Sequence, residues 1–234
     1  MADEQRLGAP GVEGEPALGA TYRDTYRARP IGQTGDEPAL QSAGAAVGSF
    51  SDLLEQRTAA VTPAVQWLTV VGVVLPAGPF GILAALGAVT AQFTIFGLVA
   101  VVFLGPAVEE ITKAIGPVVM VERYPWLVPA AWVVPVMTVA GGLGFAVIEN
   151  WIYLNVYIPD PTPEIVRWRW IFGPIVHGVS SLLVGIGLRA SWLHSTRTGS
   201  VPSLRIGQGW VVAGIAFHGL YNLAAVVLEA TDVI

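Results

Sequence analysis

The chain has no cysteine. That excludes disulfides, thiolate metal ligands and cysteine nucleophiles. Charge is scarce as well: Asp, Glu, Lys and Arg make up 12% of the 234 residues, about half the share of an ordinary soluble domain. Lysine is nearly absent, since eleven of the twelve basic residues are arginine and Lys113 is the only lysine. There is no basic stripe or nucleic-acid-binding module, so no nucleic-acid partner is expected. Neither a His-Glu-x-x-His pair nor a Gly-x-Ser-x-Gly elbow occurs, which removes the commonest soluble-type hydrolase signatures.

What fills the chain is apolar. Hydrophobic residues reach 53% and the mean hydropathy is +0.62. Residues 58–108, 51 in all, contain no Asp, Glu, Lys, Arg or His. One membrane span needs about 20 such residues, so this block holds at least two. Residues 1–57 are different: rich in glycine and proline, net acidic and poor in large apolar groups. They read as a disordered acidic tail, without the apolar core of a signal peptide, and with a short helix over 51–58 capped by Ser51. Residues 58–234 read as the membrane-embedded domain.

The fold class expected is an all-α, polytopic transmembrane bundle of about five to six spans with broken helices, in the cell membrane. Spans are expected near 64–86, 92–104, 126–150, 170–188 and 206–228, with a further helical stretch at 107–121 that Pro106 opens. Pro76-Ala-Gly-Pro79 should break the first, and Gly141-Gly-Leu-Gly144 should let helices approach closely. Arg189, Arg197 and Arg205 make the 189–205 connection cytoplasmic by the positive-inside rule, which puts 159–169 and the C-terminal end outside.

Ionisable side chains in such spans are costly and mark function. There are six: Glu109, Glu110, Lys113, Glu149, His177 and His218. Lys113 is i+4 from Glu109 and i+3 from Glu110, so it can pair with either and leave the other free. Glu149-Asn150 can bind a metal, hold a water or tie helices together. Ser180 and Ser181 follow His177 at i+3 and i+4, and Asn222 follows His218 at i+4, where each can orient an imidazole. Three glutamates and two histidines on separate helices can supply a general base, an oxyanion donor and metal ligands.

The motifs Glu109-Glu110-Ile-Thr-Lys113, Gly142-Leu-Gly-Phe-Ala-Val-Ile-Glu149-Asn150, His177-Gly-Val-Ser-Ser181 through Gly185 and His218-Gly-Leu-Tyr-Asn222 together resemble the PrsW family of intramembrane proteases. The resemblance covers about residues 100–225 and is related in plan to the CAAX prenyl proteases. It implies hydrolysis of peptide bonds in a membrane-anchored protein substrate, with anti-sigma factors as the known substrate type. Carried over by position, Glu109, Glu110, Glu149, His177 and His218 are the catalytic residues, with Lys113, Asn150, Ser181 and Asn222 in support.

Two mechanisms fit these residues. In one, Glu109 or Glu110 activates water and a histidine donates to the oxyanion, worth about 3 kcal/mol per good donor. In the other, His177, His218 and Glu149 complete a three-ligand Zn2+ site with an open water position. The rival from another class is a proton- or ion-coupled transporter, which buried Glu and His and broken helices also suit. Against it, the two halves of the chain show no matching pair of broken segments.

Overall fold

The computed structural model describes residues 49–92 and 97–231. Most of the expected acidic tail therefore lies outside the described residues. The described chain is all-α, without a strand.

Helix α1 (Phe50–Ala60) is capped by Ser49 rather than Ser51. The Ser49 hydroxyl accepts from the Asp52 backbone N–H, and the Asp52 carboxylate accepts from that of Ser49; this reciprocal capture fixes the cap two residues earlier. Helix α2 (Pro63–Val74) begins on a Thr62 cap with proline in its first turn. The expected break follows: the chain turns at Leu75–Pro76 before α3 (Ala77–Gln92).

Helical residues Gly97–Val99 continue through a π-helical turn, Ala100–Leu104, into α4 (Gly105–Arg123). Pro106 has no N–H to give, and the Gly105 N–H reaches back to Ala100 O. The Val101 carbonyl is thus left without a helical donor.

Helix α5 (Val133–Ile152) starts later than expected because Pro125 and Pro129 hold the preceding residues in a 3-10 turn and extended backbone. It ends in a π-helical turn, Tyr153–Tyr157. Helix α6 (Pro163–Thr198) runs 36 residues from a Thr162 cap to Gly199 at φ +63°. It extends past the expected end at Leu188, so Arg189 and Arg197 lie on helix rather than in a loop. A 3-10 turn, Leu204–Ile206, leads to α7 (Gln208–Ala230).

Four of the described helical segments are long and apolar enough to cross a membrane: Pro63–Leu83, Val133–Tyr157, Pro163–Thr198 and Gln208–Ala230. Of the stretches at 92–104 and 107–121, which bring the expected number to five or six, the described residues from 97 onward form one helical run ending in α4. That run carries the Glu109–Lys113 cluster, which lowers its hydropathy.

Packing divides the bundle along its length. Towards the α6–α7 connection, Val70, Ala114, Met120, Val121, Val133, Val134, Met137, Val184 and Leu188 form a dry core. Beyond it the same helices turn polar faces inward. A Cβ on Gly142 would sit 2.7 Å from the His177 carbonyl and closer still to the Ser181 hydroxyl, so only glycine lets α5 approach α6 at this level. That approach positions the site.

Candidate active site

Helices α4–α7 converge on one buried cluster. Glu110, 1% exposed, accepts from four donors. Its Oε1 takes Lys113 Nζ at 2.6 Å, Ser180 Oγ at 2.9 Å and His218 Nδ1 at 2.9 Å, and its Oε2 takes Ser181 Oγ at 3.2 Å. Lys113 is thus paired at i+3, although i+4 was open to it, because α6 and α7 bring three further donors to Glu110. The two serines expected to orient His177 hold Glu110 instead; Ser180 also donates to the His177 carbonyl.

Lys113 Nζ also donates to His177 Nδ1 at 3.0 Å and lies 4.5 Å over the Phe145 ring. An ammonium only donates, so Nδ1 is the acceptor and the ring proton resides on Nε2. There Glu149 Oε2 accepts it at 3.0 Å. The same oxygen takes Arg169 Nη2 at 3.2 Å. Arg169 and Asn150 clamp each other: Arg169 Nε donates to Asn150 Oδ1 at 3.2 Å, and Asn150 Nδ2 donates to the Arg169 carbonyl at 2.9 Å. Asn150 therefore ties α5 to α6.

Glu110 likewise accepts from His218 Nδ1, so in the neutral ring the lone pair is on Nε2. That nitrogen faces Glu109 Oε2 at 3.7 Å, beyond hydrogen-bond range. Glu109 Oε2 is the buried side-chain oxygen that has no partner among the described residues. Two acceptors thus face each other across a gap, an arrangement that calls for a donor or a cation between them. In its neutral form the Nε2 of His218 accepts at this gap, and in its protonated form it donates. Asn222 does not orient it; its Nδ2 donates to the Val101 carbonyl at 3.0 Å, satisfying the group that Pro106 orphans.

This gap opens into a cavity of about 850 Å³ lined by Glu109, Glu149, Arg169, His177, His218 and Tyr221, among others. Glu110 and Lys113 lie behind it. The cavity continues past Tyr157, Ile158, Glu164 and Glu229, at the end of the bundle away from the α6–α7 connection.

Residues 57–234 match the family described as PrsW family intramembrane metalloprotease. The chain belongs to this family. It is a multi-pass membrane protein of the intramembrane protease class, and its sequence matches no curated protein and no solved structure in the comparisons made. Membership settles the choice between protease and transporter that the buried charges alone left open.

The donor set suits the metal that the family description implies. Glu109, His177 and His218 each offer one ligand atom within 4.8 Å of the other two, and two imidazoles with one carboxylate are a common catalytic zinc set. The carboxylate of this candidate set is Glu109; the set expected from the sequence has Glu149 in its place. Glu149 is held back by Arg169 and serves His177 from behind. His177 has both ring nitrogens engaged and joins such a site only by exchanging its Glu149 bond.

Arg169, Tyr153 and Tyr221 line the cavity but escaped the sequence reading. Thr162-Pro163-Glu164 is a helix-start signal, and it would have placed Arg169 two turns before His177 on one helix.

Proposed function

We propose that this PrsW protein cuts a membrane-anchored, anti-sigma-factor-like protein substrate inside the cavity, using a water gripped between Glu109 and His218. The observation that carries the reading is the unpartnered Glu109 Oε2 opposite His218 Nε2 at the cavity floor. A water there donates both hydrogens, one to each acceptor, and presents its own lone pairs to a scissile carbonyl. Glu109 then takes the proton as general base and delivers it to the leaving amine.

Glu109, His177 and His218 would hold a divalent ion of the zinc type. Such an ion supplies Lewis acidity to the carbonyl and to the water. If Glu109 held that ion, Glu149 would be the carboxylate left to take the proton, since its bonds among the described residues are all made by Oε2, leaving Oε1 free. Glu110, with four donors, is the fixed anchor of His218, and Lys113 sets the tautomer of His177.

The cavity opens beside 157–165 and 225–229, opposite the α6–α7 end, where Arg189, Arg197 and Arg205 lie with no acid among them. By the positive-inside rule its mouth faces away from the cytoplasm. Reconstitution with candidate single-pass peptides, with and without chelator, tests the reading. Cleavage by the wild type and none by Glu109→Gln is expected; equal cleavage by both would sink the assignment. Loss on chelation supports the metal-assisted form, and undiminished cleavage assigns the water to Glu109 and His218 alone.

A further inference from the structure

We propose that Arg169 and Tyr221 form an anchoring subsite for main-chain carbonyls of an unwound substrate segment. This deepens the protease reading and rests on it. A peptide bond can be cut only where its carbonyl is accessible, so a substrate helix must open near the cut. Each carbonyl freed within the membrane then needs a donor, because lipid offers none.

The cavity wall provides donors of the right kind. A guanidinium has five N–H groups and no acceptor. Arg169 spends one on Glu149 and one on Asn150, which leaves three on a side chain that lines the cavity. Its plane is fixed by stacking 3.7 Å over the Tyr153 ring, so little rotamer freedom is lost on binding. Tyr221 is one helical turn beyond His218. Its hydroxyl accepts from Trp168 Nε1 at 3.1 Å, so its own hydrogen is free to donate. Trp168 and Arg169 are adjacent on α6, which puts both donors on one wall. Arg169 lies eight residues, about 12 Å, along α6 from His177. An extended chain covers that span in about four residues.

The charge around the subsite selects a carbonyl over a carboxylate. Glu149 already neutralises Arg169, and Glu109, Glu164 and Glu229 also line the cavity. A substrate's free C-terminal carboxylate would meet four acids against one guanidinium. The subsite therefore suits an internal segment and endoproteolysis.

The test separates binding from chemistry. Arg169→Lys keeps a cation beside Glu149 but loses the fork; Tyr221→Phe removes one donor and touches neither Glu149 nor His177. On a single-pass peptide substrate, KM should rise about tenfold for Arg169→Lys and about threefold for Tyr221→Phe, with kcat held within about twofold. In a Glu109→Gln background, Kd for the same labelled peptide should rise by the same factors. Amidating the peptide's C-terminus should change neither. A fall in kcat at constant KM would show that Arg169 acts only through Glu149 and overturn the proposal, as would unchanged Kd or a preference for the free carboxylate. Cleavage with unaltered Kd sinks the anchor alone. Binding that follows the two donors without cleavage sinks the protease reading alone.

Discussion

The two ends of the bundle are built from the same helices and do opposite things. At the end towards the α6–α7 connection, Met120, Val121, Val134, Met137, Val184 and Leu188 pack into an apolar core. One to three turns further along, α4, α5 and α6 bring Glu110, Lys113, Glu149, Asn150, Ser180 and Ser181 together beside a cavity of about 850 Å³. Lipid offers no hydrophobic drive for helix association, so the dry end coheres by close packing and the polar end by hydrogen bonds. The division implies that stability and chemistry can be altered separately, and that the adjacent Glu109 and Glu110 differ in which of the two they serve.

Glu109→Gln is the sharpest probe. It should cut kcat by about a thousandfold or more, about 4 kcal/mol of transition-state stabilisation, with thermal unfolding in detergent unchanged. Glu110→Ala should fail differently. It strands Lys113 beside His177 without its counter-charge, which costs about 3–4 kcal/mol of stability, read as a lowered midpoint together with lost activity. Met137→Ala attacks the dry end: about 2 kcal/mol of stability should go, while kcat/KM of the folded fraction stays at the wild-type value. A large drop in turnover there would break the division. Asn222→Ala should be mildest, about 1 kcal/mol, since it removes one donor from the Val101 carbonyl; a change in cleavage chemistry larger than that would give Asn222 a more direct role.

Much of this was legible in the sequence. Residues 58–108 required membrane spans, Pro76 and Pro106 marked real departures from regular helix, and five of the six ionisable residues lie in one hydrogen-bonded network that Glu109 faces. What the spacing could not supply was direction across helices. Lys113 had two local partners, and the choice was made by Ser180, Ser181 and His218 from elsewhere. Asn222 stood at a helical spacing suited to His218, yet its partner was created by a proline 116 residues earlier. Glu149 is bonded by Arg169, which lies on a helix and not in the expected 159–169 connection. Each miss is a contact between distant segments, which helical periodicity does not encode.

Helix α6 is also a gauge of depth. Its exposed Arg167 and Arg189 are 22 residues apart, about 33 Å of helix, close to the roughly 30 Å of a bilayer's hydrocarbon. His177 stands ten residues from one and twelve from the other, near the midplane. A bond severed there creates an amine and a carboxylate about 15 Å below either surface, where neither can remain. Egress of the two new termini, and not only arrival of water, therefore depends on the cavity staying wet to its mouth, which makes product escape a natural brake on turnover.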